Sequence, residues 1–124
     1  GASALIVMSE EKANELNLKP LVRVISYADA SQEAKWFTTS PAIAVNKALL
    51  KAKILAKDVD YWELNEAFSV VGIVNTQLLE IDANKVDVNG GAVALGHPLG
   101  SSGSRILVTL INVLKQKKSK MMAT

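Results

Sequence analysis

The chain has 124 residues, 49% of them hydrophobic and 21% charged, with a net charge of +2. This length and apolar content support a core of its own and exclude a disordered chain. The charge excess lies mostly in Lys115, Lys117, Lys118 and Lys120, a run suited to the solvated end of a helix and too small to argue for nucleic acid. No apolar run reaches the length of a membrane span, and no signal-peptide pattern opens the chain. There is no cysteine, which excludes disulfides, cysteine-based zinc sites and a thiolate nucleophile within these residues.

In chain order, residues 4–8 (ALIVM) form a short continuous apolar run, the pattern of a strand buried on both faces. Ser9 is placed to cap a short helix reaching about Asn17, with Glu10 and Glu11 at its positive end. Beyond Pro20, residues 21–27 are rich in branched side chains and predict a second strand. Residues 28–39 read as a polar loop carrying Trp36 and Phe37. Ser40 and Pro41 mark a helix start, a capping hydroxyl followed by proline at the first helical position. That helix runs to about Ala52 and sets Ala42, Val45, Leu49 and Ala52 on one stripe. Residues 59–64 predict a third strand. Residues 66–79 predict a third helix, with Ala67, Val70, Val71, Val74 and Leu78 at helical spacing. Val86, Asp87 and Val88 form a brief extended lead into a glycine loop. Residues 102–117 predict a fourth helix, apolar enough to be buried on more than one side, and residues 121–124 look like the opening of another strand. The order β-α-β-α-β-α-loop-α describes an α/β fold, one domain over residues 1–124, with a mostly parallel sheet and helices on its faces.

Residues 87–105, DVNGGAVALGHPLGSSGSR, hold five of the seven glycines and the only histidine. Glycine lets a loop take φ > 0 or lets a ligand approach the backbone, and Pro98 stiffens the turn after His97. In an open α/β sheet, ligands bind outside the carboxyl ends of the strands. Asn65, Glu66, Ala67 and Phe68 stand at the end of the third strand and His97 stands just ahead of the fourth helix, so both segments lie on that edge. An amide and an imidazole there can donate to an oxyanion, and the imidazole can act as a base. Plain structural roles are open to the same residues. Asn65 can cap a helix, Glu66 can complement its dipole, Phe68 can be core, and Ser101, Ser102 and Ser104 can serve in caps and turns. No Ser-His-Asp order, Walker A lysine or GxGxxG fingerprint is present, and one histidine without cysteine argues against a transition-metal site.

The tetrapeptide Asn65-Glu66-Ala67-Phe68, followed by NGGAVALGHPLG at residues 89–100 and by Ser102, Gly103 and Arg105, resembles the C-terminal half of the thiolases. The likeness covers nearly the whole chain, including residues 1–5 and the DYWEL of residues 60–64, and is closer to the biosynthetic type. It implies a thiolase-like fold with two βαβαβαββ halves, each with a mixed sheet and a buried helix; this chain would supply a partial βαβαβα half, with the fourth helix as the buried one. It also implies condensation of two acetyl-CoA to acetoacetyl-CoA and CoA, or the thiolytic reverse. Coenzyme A thioesters would be the substrates, with no bound cofactor and no metal.

By the same resemblance, a cysteine of the N-terminal half carries the acetyl group. His97 activates that cysteine and helps hold the thioester oxyanion, Asn65 orients a water in the same oxyanion hole, and Ala67 and Phe68 border the pantetheine channel. A homo-oligomer, dimer or tetramer, is implied, without nucleic-acid or membrane partners, in the cytoplasm or alternatively in mitochondria or peroxisomes. The family's second cysteine, in a Cys-x-Gly motif, has no counterpart here, nor do the final strands, the N-terminal half or the loop that grips the CoA nucleotide. The chain is therefore expected to be a truncated C-terminal domain, inactive alone. The competing expectation is a non-catalytic thiolase-fold module for interaction or acyl-CoA binding.

Overall fold

Trp62 is the hub of the sheet in the computed structural model, which describes residues 1–124. Strand β1 (Tyr61–Trp62) pairs in parallel with β2 (Met122–Ala123), Tyr61 opposite Met122 and Trp62 opposite Ala123. The amides of Asp60 and Glu63 donate to the carbonyls of Met121 and Ala123 at 2.9 and 3.0 Å, extending the pairing beyond the strand bounds. On its other edge Trp62 forms a parallel bridge with Val86, and the Asp87 amide donates to the Trp62 carbonyl at 2.9 Å. The expected strand over residues 59–64 is thus found in a narrower form, joined by parts of both expected extended segments. The Asp60 carboxylate accepts from the Lys120 and Met121 amides at 3.0 and 3.1 Å, which brings the chain back into the sheet and holds this carboxyl below its usual range.

The two strands expected over residues 4–8 and 21–27 do not join any ladder. Ile6 and Val7 are 90% and 82% exposed, and Leu21, Val24 and Tyr27 also face solvent. A strand is secured by the N–H and C=O groups of a neighbour, and no segment of this chain presents them here. The second segment is tied to a helix instead. Helix α1 spans Glu10–Glu15 and α2 spans Ser40–Ala52. The Ser26 hydroxyl donates to the Ala48 carbonyl of α2 at 2.5 Å, and Lys51 Nζ donates to the Tyr27 carbonyl at 3.0 Å. In α1 the Ser9 hydroxyl accepts from the Lys12 amide as expected, but the helix ends before Asn17, which takes a left-handed φ of 52°.

Ser40 lies inside α2 and does not cap it. The cap comes from another helix. Asn75, on α3 (Ser69–Leu78), accepts from the Ala42 amide at 2.9 Å and donates to the carbonyls of Thr38 and Val71 at 2.7 and 2.8 Å. These bonds turn the Val71, Gly72, Asn75 and Leu79 side of α3 inward, so Val70 and Leu78, expected in the core, stand about half exposed. The core joins Ala42, Val45, Val59, Trp62 and Leu79, with Leu49, Ile54, Ile81, Val86, Met121 and Ala123 packed around them.

The glycine stretch contains a helical turn, α4 (Ala92–Leu95), and leads into α5 (Leu99–Lys117), which starts three residues earlier than its apolar pattern indicates. Leu110 and Val113 of α5 are buried, and Ile106, Val108, Ile111 and Leu114 are half-buried around them. Lys118, at φ 53°, ends the helix.

Candidate active site

The segment after β1 does not turn helical until Ser69. Phe68, extended at φ −137°, is the residue that precedes α3, so Asn65 is not a helix cap. A tight turn, with the Ala67 amide donating to the Asn65 carbonyl at 2.8 Å, holds Asn65, Glu66 and Ala67 in the connection. The Asn65 side chain makes no hydrogen bond within the chain, and its Oδ1 is buried. An unbonded buried amide oxygen costs on the order of 1–3 kcal/mol, which makes a structural role poor value at this position.

Two carboxylates fasten the glycine loop to this connection. Glu66 Oε2 accepts from the Val93 amide, in the first turn of α4, at 3.1 Å. Asp87 Oδ1 accepts from the Leu64 amide at 2.9 Å. The Asn65 and His97 segments, placed on one edge by the sequence, are therefore cross-linked in the structure. Gly90 and Gly96 take φ of 87° and 91°, the conformations that carry the loop to His97.

His97 is half-buried, and its Nδ1 lies 2.6 Å from the Ser102 hydroxyl in the first turn of α5. Ser102 in turn donates to the Pro98 carbonyl at 3.2 Å. A serine hydroxyl has one hydrogen, so the network assigns a proton to His97 Nδ1, which donates to Ser102 and leaves the Nε2 lone pair free. The imidazole is thereby set up as a base through Nε2.

Next to Asn65 lies a charged cluster that pattern reading missed. Glu63, 1% exposed, accepts from Arg105 Nη1 at 2.5 Å, and Arg105 also donates to Thr109 Oγ1 at 3.3 Å. Burial raises the Glu63 carboxyl above its ordinary range, opposed by the Arg105 charge and hydrogen bond. Asp87 is pushed up to about 7, by burial first and by the charge of Glu63 second. The chain's buried side-chain polar atoms without a partner all belong to this one region: Glu63 Oε2, Asn65 Oδ1, Asp87 Oδ2 and Arg105 Nη2. The signal in the sequence was the placing of Glu63, Asp87 and Arg105 at the ends of the two motif segments, but only burial distinguishes them from surface charges.

Phe68 is 60% exposed and meets Phe37 edge to face, with centroids 6.0 Å apart, so it is not a core residue. Ala67 is half-buried beside it in the chain. A broad surface depression lined by Val24, Ile25, Ser26, Tyr27 and Lys51 shares no residue with this region. No helix is long and apolar enough to cross a membrane.

Comparison with known proteins identifies the family and the fold. The family model described as "Thiolase, C-terminal domain" matches residues 18–124. The chain is 56% identical over 120 residues to an acetyl-CoA acetyltransferase of Schizosaccharomyces pombe, covering 97% of this chain and 30% of that protein. Its fold superposes on the crystal structure of the Bacillus anthracis acetyl-CoA acetyltransferase with a TM-score of 0.89, at 42% identity, covering 94% of this chain and 30% of that one. The Ascaris suum Acat5 thiolase, solved in complex with coenzyme A, gives a TM-score of 0.83 at 48% identity, over 86% of this chain and 28% of that one. The chain thus spans about 30% of the length of the relatives it matches. With the family model covering most of its length and the α/β architecture shared with solved thiolases, the chain belongs to the thiolase family and corresponds to part of its C-terminal domain.

Proposed function

We propose that the chain forms part of an acetyl-CoA C-acetyltransferase, which condenses two acetyl-CoA to acetoacetyl-CoA and CoA or runs the thiolytic reverse. The observation that carries this reading is the cross-linked pair of segments: an Asn65 amide without a partner and a His97 imidazole whose Nε2 is left free by Ser102. His97 Nε2 would take the proton from a nucleophilic cysteine, whose thiolate attacks the thioester carbonyl and releases CoA. That cysteine has to come from outside these residues, which contain none. His97 and a water oriented by Asn65 would then donate to the thioester oxyanion, where preorganised donors act most strongly. Exposed Phe68, next to Ala67, supplies an apolar wall for the pantetheine arm. CoA thioesters are substrates in this scheme, and it needs no resident cofactor. The exposed apolar residues Ile6, Val7, Leu21 and Val24 support a face covered by further thiolase structure and a homo-oligomeric state.

The test is a chimera in which residues 1–124 replace the matching segment of the Schizosaccharomyces pombe relative. Thiolysis of acetoacetyl-CoA is expected, and a soluble, folded chimera without turnover would overturn the reading. The absence of cysteine favours a second reading, a non-catalytic module that binds acyl-CoA. Detectable CoA binding by residues 1–124, together with an inactive chimera, would select it.

A further inference from the structure

Glu66 has a setting that neither a helix-dipole role nor a surface position explains. It precedes α3 by three residues and does not lie in its first turn. Its carboxylate crosses to the glycine loop, where Oε2 accepts from the Val93 amide at 3.1 Å. The space it occupies is shaped by two glycines from different elements. A Cβ at Gly91 would overlap the Glu66 carboxylate, and a Cβ at Gly72 of α3 would lie 3.3 Å from its Oε1. Gly91 has φ −96°, a conformation open to any residue, so its lack of a side chain answers to space and not to backbone freedom. One carboxylate therefore reaches from the residue after Asn65 to the loop that carries His97, through a slot that a Cβ at Gly91 would block and one at Gly72 would crowd.

We propose that Glu66 is a positioning residue for the thiolase reaction, clamping the loop that carries His97 to the Asn65 connection and so setting the distance between the two. The proposal rests on the reading of His97 and Asn65 as the acid-base and oxyanion groups. The clamp works through an accepted hydrogen bond, so glutamine, which retains an acceptor oxygen of the same reach, can replace it. Alanine cannot, and aspartate is one methylene too short to reach Val93. Loss of the clamp leaves the thioester-binding surface in place and relaxes only the separation of the reacting groups, where displacement by about 1 Å is costly.

The active chimera is the vehicle for the test, with steady-state thiolysis and the melting temperature measured for each variant. Glu66→Ala is expected to lower kcat by between about tenfold and a hundredfold, with KM for acetoacetyl-CoA within about threefold. Glu66→Gln should restore most of that loss. Gly91→Ala, which intrudes on the Glu66 carboxylate and also comes to 3.1 Å from Asp87 Cγ, should lower kcat in the parent and cost clearly less in the Glu66→Ala background, where only the Asp87 contact is left. If Glu66→Ala fails to fold, Glu66→Asp serves in its place, with the same expected fall in kcat at an unchanged melting temperature. Equal losses in Gln and Ala, additive losses with Gly91→Ala, or a rise in KM without a fall in kcat would each overturn the clamp. His97→Ala in the same chimera separates the two levels. Full activity there would overturn the reading of the site, whereas an inactive His97→Ala beside an unaffected Glu66→Ala would overturn the clamp alone.

Discussion

Arg105 Nη1 meets Glu63 Oε1 at 2.5 Å, joining the first part of α5 to the end of β1 beside Asn65. It is the one guanidinium among the carboxylates of Glu63, Glu66 and Asp87; the Glu66 charge raises both Glu63 and Asp87, the Glu63 charge raises Asp87 further, and Arg105 opposes both shifts.

Removing that cation should be severe. Arg105→Met leaves Glu63 buried without its charge partner, and breaking one side of such a pair costs about 3–5 kcal/mol. Denaturant titration should show the loss. A change below about 1 kcal/mol would mean that the pair is worth no more than a surface contact.

The raised carboxyl of Asp87 fixes the sign of a pH effect. Its folded value of about 7 lies above its ordinary 3.8, so between those values the native state binds more protons than the unfolded state. Its contribution to stability is full below about pH 4, falls as pH rises to about 7, and is constant above. Asp87→Asn keeps an acceptor for the Leu64 amide and suits the left-handed φ of 47°. The variant should flatten stability between pH 5 and pH 7 and be the more stable protein at pH 8. An unchanged pH profile would exclude Asp87 as its source.

Asn75 is fully buried and bonds the Ala42 amide, the Thr38 carbonyl and the Val71 carbonyl. Asn75→Leu strands the one donor among these, the Ala42 amide, inside the α2–α3 contact. The expected cost is about 2–4 kcal/mol. Hydrogen exchange at the start of α2 should accelerate together with it, and protection that survives the change would contradict the cross-helix cap.

His97 and Ser102 make separable contributions. In the chimera, His97→Ala should lower thiolysis by about 10²–10⁴, the range for removal of a general base. Ser102→Ala leaves the imidazole in place without the acceptor that keeps the proton on Nδ1. A smaller fall in kcat, about tenfold, is expected, with KM held. Unchanged kcat would show that Ser102 serves only the turn before α5.

Alternating apolar runs in the sequence were enough for the α/β class, and the resemblance of the Asn65–Phe68 and 89–105 segments to the thiolases was enough for the family. The sequence also located α1, α2 and α5, β1 and β2 to within a few residues, since apolar periodicity and capping chemistry act over one or two turns. Tertiary structure decided what depends on contact between distant residues. The runs at residues 4–8 and 21–27 read as strands, yet they stay unpaired because a ladder requires a neighbour's backbone. Asn75 caps α2 from another helix, a bond between residues 33 apart that no local pattern encodes. Glu66, legible only as a dipole complement, reaches Val93 across 27 residues. Glu63, Asp87 and Arg105 become a coupled cluster only when folding removes them from water, because burial and mutual proximity, not residue type, set their charges.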